Sequence, residues 1–262
     1  MEPNHTPVQI TETNVVAGKG LVAQQSYKQG ALILQEDALV FCNTRKRHDY
    51  WEDEGKAFYD EELNGTTKIL QTAFNKLSLL DQATFHKFYT SNPRPSNVEH
   101  IVDRFRYSAF KVPVRRHGDE ADTTRMVLYR TICFANHSCV PNATVYIHNR
   151  DYPDTRGQGR LVATRDIDNG EEILINYIPE DWHEDRADRQ AALMLGWGFD
   201  CTCEGCDEDN NDQNWAERRI CCVYFGEVIM GLNNIKHNGT KLRVWIDLLG
   251  ELGKRDKDLS YA

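Results

Sequence analysis

The spacing of apolar residues changes character several times along the chain. Between Val8 and Phe41 they form short runs separated by glycine and polar residues: Val8-Gln9-Ile10, Gly18 to Ala23, Gly30 to Leu34 and Ala38 to Phe41. Runs of that length bounded by turn formers predict short strands. Residues 43 to 65 are polar and charged, include the basic run Arg45-Lys46-Arg47, and read as a solvated loop. From Thr66 to Tyr89 the period becomes helical, with Ile69, Leu70, Ala73, Phe74, Leu77 and Leu80, then Phe85 and Phe88, recurring at helical spacing. This predicts two helices with a break near Leu80-Asp81, closed off by Pro93 and Pro95.

The second half of the chain returns to short elements. Residues 98 to 116 mix helical and strand patterns, Arg116 to Asp122 reads as an exposed loop, and Arg125 to Ala135 is apolar enough to be buried. Ala143 to His148 and Arg160 to Thr164 predict a hairpin through the Gly157/Gly159 loop. Asp168 to Glu172 reads as a turn, Ile173 to Tyr177 as a strand and Arg186 to Leu195 as a helix. Glu171 and Glu172 occupy neighbouring positions that point to opposite faces, so they read as structural, with one bonding across the fold. Asn214 to Met230 and Thr240 to Leu252 have helical periodicity and predict a small helical hairpin.

At 262 residues and 40% hydrophobic, the chain has room for one large domain with a smaller appendage. No apolar run approaches the roughly 20 residues of a membrane span. Met1 to His5 lacks the basic start and apolar segment of a secretory signal. The expected setting is a reducing compartment, nucleus and/or cytoplasm, where eight cysteines serve as thiols or metal ligands rather than disulfides. The net charge of -9 argues against broad nucleic-acid binding and suits a basic protein partner. The chain is expected to act as a monomer.

Two stretches carry candidate chemistry. Asn136-His137-Ser138-Cys139-Val140-Pro141-Asn142 is too polar for core and too irregular for a helix face, which suits a small-molecule or metal site as well as a capped turn. Cys201, Cys203 and Cys206 supply three thiols within six residues, one short of a closed zinc site. The fourth ligand must come from elsewhere. Cys42, Cys133, Cys139, Cys221, Cys222 and the histidines are candidates, and Cys139 stands out because it sits in a polar turn. Gly18 and Gly20 would let backbone amides approach a ligand, although a Gly-x-Gly alone equally marks a hairpin turn.

Taken in order, Gly18-Lys19-Gly20-Leu21, Asn136 to Asn142, Gly170-Glu171-Glu172-Ile173 through Tyr177, and Phe199 to Cys206 resemble the SET-domain family of S-adenosylmethionine-dependent lysine methyltransferases. The likeness is closest to SMYD-type and fungal SET-only proteins, without a MYND finger, since residues 43 to 132 contain no cysteine. The resemblance implies an α+β fold: a β-rich SET domain over 1–195 of short sheets with a pseudoknot-like C-terminal crossing and a helical insert at about 44–107. It also implies a zinc-binding post-SET segment over 196–212 and short C-terminal helices over 213–262. Lys19, Gly20 and Leu21 would line the methionine end of S-adenosylmethionine through backbone groups; Asn136 and His137 would hold its amine and adenine, and Phe199 would stack on the adenine. Tyr177 would be the catalytic tyrosine, contacting cofactor and lysine alike. Phe110, Tyr177 and Trp197 would form the lysine channel, and Cys139, Cys201, Cys203 and Cys206 would share one structural zinc. The chain departs from the family at Ser108, where relatives carry an asparagine, and at Trp197, where a tyrosine is frequent. Those departures keep two other functions in view: a catalytically weak module that acts as a binding scaffold, or a SET-fold enzyme acting on a small molecule.

Overall fold

A computed structural model describes residues 7–13, 18–45, 56–90, 99–113, 123–147, 157–178 and 185–207. The expected helical hairpin at 214–252 and the loop at 116–122 lie outside the described residues. In chain order the elements are β1 (Val8–Thr13), β2 (Gly18–Ala23), β3 (Leu32–Glu36), β4 (Val40–Arg45), α1 (Lys56–Asn75), α2 (Leu79–Phe85), α3 (Glu99–Ser108) and β5 (Phe110–Pro113). There follow β6 (Thr123–Leu128), a 3-10 turn at Ile132–Phe134, β7 (Asn136–His137), β8 (Ala143–Ile147), β9 (Gly159–Ala163), β10 (Glu172–Ile175) and α4 (Arg186–Trp197). No described helix is long and apolar enough to cross a membrane.

The strands form three small sheets, ordered β1-β2-β10-β7, β3-β9-β8 and β4-β6-β5. The first sheet positions the site. β10 lies antiparallel to β2, with Ile173 opposite Leu21, and parallel to β7, with Leu174 opposite Asn136 and Ile175 opposite His137. A strand from late in the chain is thus inserted between two earlier ones, the C-terminal crossing expected of a SET fold. Its side chains alternate, with Ile173 and Ile175 buried and Glu172 and Leu174 half-buried. Leu21, Ala23, Ile173 and Ile175 join one apolar core with Val127, Leu128, Leu161 and Phe134.

The helical region differs from the sequence expectation in two places. α1 begins at Lys56, inside the stretch expected to be a solvated loop, because a stretch poor in apolar residues gives no periodic signal even where it is helical. The break between α1 and α2 falls at Ser78 rather than at Leu80-Asp81. The Ser78 hydroxyl accepts a bond from the Asp81 amide at 3.2 Å and so caps the new helix. Leu79 and Leu80 are consequently exposed, at 86% and 77%, although Leu80 fits the apolar period. The interior of the insert is aromatic: Phe85 is fully buried with its ring centroid 5.0 Å from Phe74, 5.3 Å from Phe105 and 5.8 Å from Phe88.

Candidate functional site

The turn from Asn136 to Asn142 is held against β10 by its own polar groups. The Ser138 amide donates to the Ile175 carbonyl at 2.9 Å. The buried Asn142 amide donates to the Glu172 carbonyl at 2.8 Å, while its oxygen accepts from the Leu174 amide at 2.7 Å. Ser138 Oγ accepts from the Val140 amide and donates to the Val140 carbonyl, both at 3.0 Å, closing the turn locally. Ser138 and Asn142 are therefore scaffold, while Asn136, His137 and Cys139 meet other elements of the fold.

Asn136 faces β2. Its Nδ2 donates toward Glu172 Oε1 at 2.8 Å, Thr13 Oγ1 at 3.2 Å and the Lys19 carbonyl at 3.3 Å. The same atoms explain Gly20. A Cβ built there would overlap Glu172 Oε1 and lie 2.7 Å from both Asn136 Nδ2 and Thr13 Cγ2. Only glycine leaves room for this notch, in which the main chain of Lys19 to Leu21, expected to contact a cofactor, lies beside the Asn136 amide.

His137 sits deeper than the sequence implied, at 1% exposure. Its Nδ1 accepts from the Tyr177 amide at 3.0 Å, which places the ring proton on Nε2, 3.4 Å from Cys139 Sγ. Both ring nitrogens face protein atoms, so the ring is held in place by the fold itself. Around the imidazole runs a row of rings: Phe199 at 6.1 Å and Tyr177 at 5.3 Å from His137, and Trp197 at 5.2 Å from Tyr177. Phe110, expected beside Tyr177, has its ring 5.7 Å from Tyr129, and both Phe110 and Tyr177 pack on the main core. The Tyr177 hydroxyl donates to the Ala135 carbonyl at 2.7 Å, and burial pushes its pKa above the usual tyrosine range. A neutral phenol that positions a neighbouring group is the chemistry this tyrosine can perform at neutral pH.

α4 delivers the other half of the row. Its C-cap Gly198 takes a left-handed conformation, φ 77°, and its amide bonds the Leu193 and Met194 carbonyls at 3.0 Å. The reversal turns Phe199 back toward His137 while Trp197, on the last turn, stays against Tyr177. Arg106 of α3 also donates to the Leu195 carbonyl at 3.2 Å, tying the insert to the end of α4.

The thiols of Cys139, Cys201, Cys203 and Cys206 all lie within 4.8 Å of one another. Thiolates bound at ~2.3 Å to one tetrahedral ion would sit about 3.8 Å apart, so this donor set fits a metal ion. Cys139 and Cys206 are 3.5 Å apart, and the Cys139 amide donates to Cys203 Sγ at 3.3 Å. Hydrogen bonds among the four thiols hold Cys203 far below its usual range and bring Cys206 down to about 7, while bonds to Cys201, Cys203 and Cys206 raise Cys139, and Cys201 is lowered by Cys139 but raised overall by Cys203, Cys206 and burial. Burial instead pushes Cys42 up to about 11 and raises Cys133 further, so both remain thiols. Sequence reasoning missed Arg189, fully buried, whose guanidinium donates to the Gly205 carbonyl at 2.6 Å beside Cys206. A buried arginine in a helix preceding a cysteine cluster was the one available signal.

A sequence model of the SET domain matches residues 18–178. Histone-lysine N-methyltransferase set5 of Schizosaccharomyces pombe is 27% identical over 206 residues, covering 79% of this chain and 52% of that protein. Histone-lysine N-methyltransferase ATXR2 of Arabidopsis thaliana is 40% identical over 76 residues, 29% of this chain and 15% of that protein. A SET and MYND domain-containing protein of Dictyostelium discoideum is 24% identical over 170 residues, 62% of this chain and 41% of its own. The chain thus spans about half the length of set5, or less of the other two. The SET domain of LSMT, solved with lysine and AdoHcy, overlays 81% of this chain and 58% of its own at 15% identity with a TM-score of 0.40.

Proposed function

Because this chain belongs to the SET-domain family, matched over residues 18–178, we propose that it transfers a methyl group from S-adenosylmethionine to a lysine ε-amine of a protein substrate. The observation that carries the reading is one strand, β10, which places the Gly20–Asn136 notch on one side and the Tyr177–Trp197 ring pair just beyond its end. The cofactor supplies the methyl on a sulfonium; the C–S bond breaks as the N–C bond forms. Lys19, Gly20, Leu21 and Asn136 would hold its amino-acid end, the His137 main chain and Phe199 its adenine, and Tyr177, Trp197 and Phe110 the lysine stem.

A free lysine, pKa ~10.4, is almost wholly protonated at neutral pH. An aromatic channel desolvates the ammonium and favours loss of its proton to water before transfer. Tyr177, kept neutral, then orients the amine by its hydroxyl, and alignment over ~3–3.5 Å lowers the barrier without a dedicated base. Cys139, Cys201, Cys203 and Cys206 would hold one zinc ion, which fastens the Phe199 segment to the Asn136–Asn142 turn.

The naming of relatives as histone-lysine methyltransferases makes basic histone tails in the nucleus the first substrates to try. A scaffold reading draws on the close Tyr177–Trp197 packing, since a bulky ring without a hydroxyl narrows the channel. Incubation with labelled S-adenosylmethionine, core histones and cell lysate separates the two. Label transferred by the parent and strongly reduced in Tyr177→Phe supports methyl transfer; cofactor binding with no label on any protein supports the scaffold.

A further inference from the structure

We propose that Glu172 is a positioning residue of the cofactor site, fixing the Asn136 amide so that its oxygen is presented to the α-ammonium of the bound nucleoside amino acid. The proposal rests on the S-adenosylmethionine reading above. It starts from hydrogen-bond chemistry. The Asn136 amide has one nitrogen that only donates and one oxygen that only accepts. Its nitrogen meets Glu172 Oε1 at 2.8 Å, Thr13 Oγ1 at 3.2 Å and the Lys19 carbonyl at 3.3 Å. Rotating the amide by half a turn would set its oxygen against a carboxylate and a carbonyl, two acceptors facing an acceptor. Orientation is thereby imposed, and Glu172 imposes it most strongly, because its bond is both the shortest and charge-assisted.

The neighbouring carboxylate shows the contrast. Glu171 is occupied in the turn, pairing with Arg165 at 2.8 Å and accepting from Asn142 at 3.0 Å and from the Asp168 amide at 2.9 Å. Glu172 emerges on the opposite side of the chain and reaches the space over Gly20, where even a methyl group would collide with it. A negative charge next to the notch also favours a cation at Asn136 Oδ1. An α-ammonium, with three donors and a positive charge, is the group that suits this pair of acceptors.

Calorimetric titration of the full chain with S-adenosylhomocysteine and with 5′-methylthioadenosine, which lacks the amino-acid end, tests the proposal. Glu172→Ala is expected to weaken S-adenosylhomocysteine roughly tenfold, the equivalent of one hydrogen bond to a charged group, and to leave 5′-methylthioadenosine within about twofold. Glu172→Gln keeps an acceptor oxygen and is expected to recover most of the loss. Equal weakening of both ligands in both variants would assign Glu172 a merely structural role and overturn the proposal, as would unchanged S-adenosylhomocysteine affinity in Glu172→Ala. A parent protein that binds neither ligand would overturn the S-adenosylmethionine reading itself, and the proposal with it.

Discussion

Gly20→Ala separates the stability of the first sheet from the use of its notch. Gly20 lies mid-strand in β2 with an ordinary negative-side backbone, so alanine is conformationally allowed, and restricting the unfolded chain contributes about 0.4–1 kcal/mol in its favour. Against this stands the added methyl group, overlapping Glu172 Oε1 and 2.7 Å from Asn136 Nδ2 and Thr13 Cγ2. Overpacking of this kind costs about 1–3 kcal/mol. The net loss of stability is therefore about 0–2.6 kcal/mol, and the offending atoms are side-chain ends that can swing away without moving the strands. For a domain of this size that is a fall in melting temperature of no more than about 10 °C. The swing, however, releases the Asn136 amide from Glu172, so that the bond its oxygen would make to a charged ligand group, about 1.5–3 kcal/mol, is lost. At 1.4 kcal/mol per decade, affinity for S-adenosylhomocysteine should drop about 10- to 100-fold. Thermal melting followed by circular dichroism and calorimetric titration read the two effects separately. A variant that melts within this range and still binds within threefold of the parent would refute the notch as the cofactor's seat.

Other sites give independent checks. Cys203→Ser removes one of the four clustered sulfurs; metal analysis should find about one zinc per chain in the parent and little in the variant, and a metal-free parent would sink the assignment. Phe85→Ala leaves a cavity among Phe74, Phe88 and Phe105 and should cost about 3–5 kcal/mol in urea unfolding, with a loss below about 1 kcal/mol contradicting the aromatic core of the insert. His86 has its pKa lowered by burial and by the neighbouring His100 and Arg104. A depressed histidine binds its proton more readily when unfolded, so stability is fullest above the unfolded value of ~6.5 and falls as pH drops toward the folded pKa. Urea midpoints at pH 7.5 and 5.5 should differ less in His86→Gln than in the parent; an unchanged difference would remove His86 from the account.

Much of this was written locally. Residues 18–23, 143–147 and 159–163 form strands where short apolar runs sit between turn formers, and the triad Cys201, Cys203, Cys206 announces a metal site one ligand short. Local signals also misled. Leu80 fits a helical period and yet is exposed, because the Ser78 cap, a stronger constraint on where a helix begins, rotates α2 so that Phe85 rather than Leu80 meets the core.

What only the tertiary structure decided depends on contacts between distant residues. The sequence by itself determined the strand-rich plan, the order of the motifs and the three clustered thiols, all encoded in spacings of a few residues. Tertiary structure brought the Cys139 thiol within 4.8 Å of those of Cys201, Cys203 and Cys206, placed β10 between β2 and β7, turned the His137 ring toward Tyr177 and Cys139, and brought Glu172 against Asn136 over Gly20. The reason is that periodicity and turn chemistry report a residue's own neighbours along the chain. Which ring nitrogen accepts a bond, or which asparagine meets which carboxylate, is settled only when the strands pair, and pairing is a competition among surfaces that no single stretch contains.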